Sequence, residues 1–434
     1  MKKYDNYKDS GIEWIGEIPN HWEVKRLKNI GKLYSGLSGK SGSDFEKAPT
    51  ENYKPFINFT NIANNKYIVN DNFGYVKIDE NENQNKVKKN DLFFLMSSEN
   101  QEDVGKSSLL VDDYEELYLN SFCKGFRLNT NSDARFLNYL LSSSALSQLI
   151  SLEGRGFTRI NLRMEGVENL PILIPKLQEE QTAIANYLDH KTSQIDTLIA
   201  KKEQFISLLQ EERTALINQA VTKGLDPKVK MKDSGIEWLG EIPENWEVKK
   251  LKYLCKIINE KSSEKPDYVL ALENIKSWTG EIVGNPYENK MEGDVNLFKE
   301  NDILFNKLRP YLAKVIKTQS DGGCVGELLV LRANKFLTPT FLYYRLISEA
   351  IITIVDNSTY GTKMPRASWE KFISLIGIGF PSIDEQNKIT DYIENKIREI
   401  ETLVSKTQQE IELLKEYKTA LISEVVTGKV DVRE

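Results

Sequence analysis

The chain has 434 residues, of which 28% are charged and 40% apolar, the profile of a globular protein and not of a disordered one. Lys plus Arg number 58 and Asp plus Glu 64, so the formal charge is −6; this excludes a simple basic glove for nucleic acid and leaves only a reader whose positive charge is local or shared with a partner. Two histidines (His21 and His190) and three scattered cysteines without a CxxC pair exclude His-based triads, zinc ribbons and a disulfide framework, and fit a reducing cytoplasm.

In chain order, the first feature is an opening segment that returns later. Lys8-Asp9-Ser10-Gly11-Ile12-Glu13-Trp14 recurs 224 residues on as Lys232-Asp233-Ser234-Gly235-Ile236-Glu237-Trp238. Gly16-Glu17-Ile18-Pro19 and Trp22-Glu23-Val24-Lys25 are mirrored by Gly240-Glu241-Ile242-Pro243 and Trp246-Glu247-Val248-Lys249. Such self-similarity is the first thing a sequence can say about architecture.

Residues 30–175 follow, with a mixed α/β pattern. Strands are predicted at Tyr53–Phe59, Leu92–Met96 and Leu109–Val111, and a helix at Ala134–Leu149. The region closes with a basic, polar loop, Gly154-Arg155-Gly156-Phe157-Thr158-Arg159-Ile160-Asn161-Leu162-Arg163. From Gln181 to Val221 no Pro or Gly interrupts the chain. Leu188, Ile195, Lys202, Leu209 and Leu216 step by seven, as do Ile184, Lys191, Leu198 and Phe205, which predicts one long helix with an a/d seam. Pro175 before it and Gly224 after it are start and stop signals.

The second copy repeats this plan. Strands are predicted at Tyr268–Leu272, Ile303–Phe305 and Leu328–Leu331, a helix at Thr338–Ile354, and a second long helix from Gln386, with Pro381 and Gly428 flanking. Its helix aligns with the first at an offset of 205, as Gln181 with Gln386 and Leu198 with Leu403. The framework is therefore shared, while the stretches between differ. Its basic loops are Asn306-Lys307-Leu308-Arg309-Pro310-Tyr311-Leu312-Ala313-Lys314 and Ser358-Thr359-Tyr360-Gly361-Thr362-Lys363-Met364-Pro365-Arg366. Arg, Lys, Asn and Thr on loops suit both phosphate contacts and base-edge hydrogen bonds. Two narrow apolar stripes are best buried on each other, and an internal two-fold relation favours antiparallel packing.

Catalytic motifs are absent. Gly39-Lys40-Ser41 has Tyr34 where a phosphate-binding loop needs Gly, and Asn285-Pro286-Tyr287 lacks one residue of an amino-methyltransferase tetrad. Phe372–Phe380, the most apolar stretch, is half a membrane span, and the first residues lack a signal peptide's apolar core, so a cytoplasmic protein is expected.

The duplicated opening, the paired Glu180-Gln181 and Glu385-Gln386 helix starts, Leu308-Arg309-Pro310-Tyr311-Leu312 and Gly361-Thr362-Lys363-Met364-Pro365-Arg366 together resemble the specificity subunit of Type I restriction–modification systems. The resemblance covers nearly the whole chain. It implies an α+β fold with internal pseudo-two-fold symmetry, in which two mixed α/β target-recognition domains (1–175 and 228–380) are separated by two long antiparallel helices, a coiled-coil spacer (176–227 and 381–434). It implies a DNA reader without catalysis of its own. Double-stranded DNA, two methyltransferase subunits carrying S-adenosylmethionine, and motor-nuclease subunits are its implied partners, with no cofactor or metal on this chain and no membrane. The target would be bipartite and asymmetric. A coiled-coil scaffold that joins proteins without reading sequence is the competing expectation. The candidate DNA contacts are Arg155, Thr158, Arg159, Asn161 and Arg163 in the first domain, and Asn306, Lys307, Arg309, Tyr311, Thr362, Lys363 and Arg366 in the second. Arg309, ahead of Pro310, is the first candidate for bracing the fold instead. Residues 381–434 carry 8 positive and 12 negative groups, which suits a protein partner there and predicts salt-sensitive, weak DNA binding by the isolated chain.

Overall fold

The computed structural model describes residues 2–13, 15–48, 52–79, 81–101, 103–156, 159–289 and 293–433. The chain divides into two compact units, Met1–Lys201 with Gln409–Glu434, and Lys202–Gln408.

In the first unit the opening strand Trp22–Arg26 pairs antiparallel with Pro171–Pro175, the strand that leads into the long helix. Trp22 is fully buried there and meets Phe136 edge-on, with ring centroids 6.2 Å apart. The second unit repeats the arrangement. Glu247–Lys250 pairs with Gly377–Phe380, and buried Trp246 meets Phe341 at 6.3 Å. The recurring Trp-Glu-Val-Lys is thus the strand that ties the start of each region to its end.

Each unit holds a four-stranded antiparallel sheet in the same order. In the first it runs Ser107–Leu109, Leu92–Leu95, Cys123–Leu128, Gly31–Ser35; in the second, Val315–Lys317, Ile303–Asn306, Leu328–Ala333, Cys255–Ile258. A second sheet differs between the units. In the first, Tyr53–Ile57 lies between Phe73–Lys77 and the parallel strand Tyr118–Leu119. In the second, Gly322–Cys324 lies between Val295–Phe298 and the parallel strand Val269–Leu270. By chain order the last two strands have exchanged places. The framework sheet is kept and the variable sheet is rebuilt.

The single helices predicted at Ala134–Leu149 and Thr338–Ile354 are each two. They are Ala134–Leu141 with Ser144–Leu152, and Pro339–Ile347 with Glu349–Asn357. The break has one cause in both. The Ser143 hydroxyl donates to the Leu140 carbonyl at 2.6 Å and the Ser348 hydroxyl to the Arg345 carbonyl at 2.7 Å, so a serine takes the place of the next amide and turns the chain.

The long helices are continuous, Gln178–Lys223 with 46 residues and Ile383–Val426 with 44. At 1.5 Å per residue each is about 65–70 Å long. In the first unit Glu180 lies 3.9 Å from Arg433, and Asp196 lies 2.6 Å from Lys418, so numbering rises along one segment while it falls along the other. In the second unit Glu385 lies beside Gly224, and Glu212 beside Lys396, the same opposed sense. The first predicted heptad series and its counterpart in the second helix are buried at most apolar positions, while the second series is buried only where each helix starts, at Ile184 and Ile389. Leu188, Ile195, Leu209, Ile393, Ile400, Thr407 and Leu421 are inside, but Leu198, Phe205, Leu403 and Tyr417 are exposed. A two-helix contact hides one narrow seam, and beyond Ile184 and Ile389 the apolar members of the second series turn outward.

Both long helices end at a glycine in the left-handed region, Gly224 (φ 74°) and Gly428 (φ 75°). A Cβ on Gly428 would lie 2.3 Å from Pro19, so this glycine also lets the chain close onto the opening segment. The three cysteines are buried and free, and burial pushes each thiol up to about 12. Among the described residues no helix is long and apolar enough to cross a membrane.

Candidate nucleic-acid interface

The Glu-Gln pair at each helix start is a brace. Glu180 is 5% exposed and accepts hydrogen bonds from Trp22 Nε1 (3.0 Å) and Tyr4 Oη (3.0 Å), with His21 Nε2 at 2.8 Å. Glu385 accepts from Trp246 Nε1 and Asn245 Nδ2, both at 2.9 Å. Gln181 donates to the Pro175 carbonyl and accepts from the Asp133 amide; Gln386 donates to the Pro381 carbonyl and accepts from the Thr338 amide. Asp133 and Thr338 cap the framework helices, so one side chain fixes the long helix against both the closing strand and the next helix. Inside each sheet a buried aspartate takes a bidentate arginine: Asp91 with Arg127, and Asp302 with Arg332.

This frame holds up two matching hairpins. In the first unit the amide of Arg155 donates to the Asn161 carbonyl at 3.0 Å and the reverse bond is 2.9 Å. In the second, Tyr360 and Arg366 exchange the same two bonds, each 3.1 Å. Both residues are shifted by 205, the offset of the framework. Each hairpin then pairs with the segment after the second framework strand. Asn161 faces Ser97, and Arg366 faces Leu308. Two loops of unrelated sequence therefore occupy one structural position.

The chemistry displayed there differs. Arg155, Arg159, Asn161 and Arg163 are all exposed, and among the described residues none of the three arginines has an ion-pair partner. Arg159 lies over the ring of Phe122, 5.1 Å from its centroid. Thr158 lies outside the described residues. In the second unit Arg309, Tyr311, Thr362 and Lys363 are exposed. Arg309 (φ 52°) and Ala313 (φ 45°) adopt the left-handed region on either side of Pro310–Leu312, a strained turn held by the Arg309 amide on the Pro365 carbonyl (2.8 Å) and the Tyr311 amide on Asp356 (3.2 Å).

Known proteins match this architecture. The profile described as "Type I restriction modification DNA specificity domain" covers residues 19–207 and 243–413. The chain belongs to the Type I restriction–modification DNA specificity family. It is 25% identical to the MjaVIII specificity subunit of Methanocaldococcus jannaschii, over 99% of this chain and 97% of that one. The EcoDI specificity subunit of Escherichia coli is 24% identical over 68% of this chain and 70% of its own. Among solved structures, one described as the basis of complex assembly and conformational transition of the type I R-M system aligns with TM-score 0.71 at 14% identity, over 95% of this chain and 99% of that one. The HsdS subunit of Thermoanaerobacter tengcongensis aligns with TM-score 0.58 at 15% identity, over 95% and 98%. These likenesses show the fold.

As a Type I specificity subunit the chain is non-catalytic and contributes choice of DNA sequence. The candidate residues now divide by environment. Asn306 is 2% exposed, and its amide both donates to and accepts from Leu308, so it shapes the turn. Lys307 Nζ is held by the Gly326 carbonyl at 2.7 Å. Arg366 is paired with Glu327 through Nη2 (2.7 Å) and Nε (3.3 Å), and Glu327 holds its guanidinium pKa above the usual range. Arg309, the first candidate for bracing, keeps only a 3.4 Å side-chain bond to the Lys363 carbonyl. Asn306, Lys307 and Arg366 are thus held through their side chains, while Arg309 joins the turn through its backbone amide on the Pro365 carbonyl. Sequence reasoning missed Phe122, Tyr360 and Met364, which are 53, 62 and 47% exposed beside the basic loops. Large apolar side chains left in water next to arginines are an interface signature, but only the fold brings Phe122 to its loop.

Proposed function

We propose that this specificity subunit reads a bipartite, asymmetric DNA target, one half-site through each recognition domain (1–175 and 228–380). The segments 176–227 and 381–434 serve as the helical spacer that fixes the gap. The observation that carries this reading is the pair of hairpins at one structural position, Arg155–Asn161 and Tyr360–Arg366, carrying different side chains. One scaffold position with two chemistries is what two unlike half-sites require. Arg155, Arg159, Asn161, Arg163 and Thr158 serve the first; Arg309, Tyr311, Thr362 and Lys363 contact the second, with Asn306, Lys307 and Arg366 shaping their loop.

The helices supply the docking sites for two methyltransferase subunits. In the first unit Leu198, Leu413 and Tyr417 are exposed on the helix pair; in the second, Leu403, Leu208 and Tyr392. Leu198 with Leu403 and Leu208 with Leu413 are related by 205 residues, so the leucines of one patch recur in the other. The methyltransferase brings S-adenosylmethionine, and motor-nuclease subunits join through it, in the cytoplasm. The test is to map methylated bases genome-wide in cells that carry the methyltransferase, with and without this chain. A bipartite motif that appears only with the chain supports the proposal. A methylation pattern independent of the chain would favour the scaffold reading and overturn it.

A further inference from the structure

The turn before the central framework strand is the same in both units. The Cys123 amide donates to the Asn120 carbonyl at 3.1 Å, and the Leu328 amide donates to the Val325 carbonyl at 3.0 Å. These residues are again 205 apart, so Phe122 and Glu327 occupy one position. Phe122 is held outward by its amide on the Asn120 side chain (2.9 Å). Each residue takes hold of an arginine on the neighbouring hairpin, but in opposite ways. Glu327 binds the N–H edge of Arg366 and neutralises it. Phe122 holds the Arg159 guanidinium over its ring, 5.1 Å from the centroid, and the N–H groups have no acceptor among the described residues.

We infer that Phe122 is a positioning residue for sequence reading: it holds the Arg159 guanidinium so that its free N–H edge meets the N7 and O6 acceptors of a guanine in the first half-site. A guanidinium held over a ring keeps its donors and loses rotamer freedom, so less is lost on binding. Guanine offers the two adjacent major-groove acceptors that match such a fork. Residue 122 thereby sets whether its arginine reads DNA, and the counterpart at 327 sets the opposite choice. This inference rests on the proposed reading of DNA by the first domain.

The experiment uses the full chain assembled with its methyltransferase, and measures methylation of duplexes randomised in either half-site. Phe122→Ala and Arg159→Ala are expected to lose discrimination for one and the same guanine by about tenfold or more. Preference in the second half-site is expected to stay unchanged in both. Phe122→Tyr, which keeps the ring, is expected to keep the preference. Melting temperatures of the variants within about two degrees of the parent exclude a folding defect at this exposed position. An unchanged base preference in Phe122→Ala would overturn the inference, as would equal loss on all sequences, which marks a phosphate contact. A parent complex with no sequence preference would instead overturn the underlying reading, and this inference with it.

Discussion

Trp22 Nε1 donates to Glu180 Oε1 at 3.0 Å, across 158 residues of sequence, and Trp246 Nε1 repeats the bond to Glu385 at 2.9 Å. The two motifs most visible in the repeat, the tryptophan of the opening strand and the glutamate of the helix start, are thus halves of one joint. Glu180 carries more of the load, because Tyr4 and His21 share it. Replacing Glu180 with Ala leaves buried donors on Trp22 and Tyr4 without an acceptor, at a cost of about 2–4 kcal/mol. Glu385→Ala should cost less, since Asn245 is exposed and water replaces the lost partner. Urea unfolding of the two variants measures both, and equal losses would contradict this ranking.

Acid should loosen the first unit through Asp133 and Asp189. Burial raises both carboxyl pKa values, but hydrogen bonds outweigh it: Arg135 and Thr182 on Asp133, and Tyr67, Lys66 and Tyr139 on Asp189. The net folded-state values lie below the ordinary one. Their contribution is therefore complete above about pH 4, the unfolded value, and is lost as pH falls through the depressed folded values. Asp189→Asn should flatten the acid limb of a plot of melting temperature against pH. An unchanged acid limb would exclude this joint as its source.

Arg345 should be replaceable with profit. It is fully buried in Pro339–Ile347, and among the described residues none of its three guanidinium nitrogens has a hydrogen-bond partner. Burial pushes its pKa down to about 9, and its guanidinium lies over the Trp238 ring, 5.6 Å from the centroid. The first unit has Leu140 at the equivalent position, 205 residues earlier, also fully buried. Arg345→Leu is expected to stabilise the protein by about 1–4 kcal/mol, as when a buried ion gives way to a well-packed apolar side chain. A lower melting temperature in this variant would show that the charge has a partner it needs.

The exposed basic residues should separate by their salt response. If Arg155 neutralises a phosphate, Arg155→Ala reduces the slope of log affinity against log salt by about one and weakens all sequences alike. If Lys363 reads a base edge, Lys363→Ala costs about 1–3 kcal/mol on the target sequence and little on others. Titration of the assembled complex with target and unrelated duplexes at several salt concentrations distinguishes the two.

The framework was legible because repetition makes it so. The long helices lie within three residues of their predicted ends, since an uninterrupted heptad pattern needs no tertiary context. The exposure of Leu198, Phe205, Leu403 and Tyr417 was not legible, because periodicity marks an apolar face without saying whether a neighbour covers it. Nor were the breaks at Ser143 and Ser348, where a hydroxyl competes for a backbone carbonyl that the helix pattern assigns to an amide. The hairpins follow the same logic. Arg155 and Tyr360 share no local signal, and their equivalence comes from pairing with strands about 50–65 residues away in sequence. Composition marked the loops as basic, while the fold was needed to separate the exposed Arg155, Arg159 and Lys363 from the held side chains Asn306 and Arg366.

The most direct test of two readers on one chain is to replace residues 30–175 with a second copy of 254–380 and map the bases methylated by the assembled complex. The account predicts a symmetric motif built from the second half-site alone, in inverted repeat. A motif that stays asymmetric, or that still contains the first half-site, would contradict it.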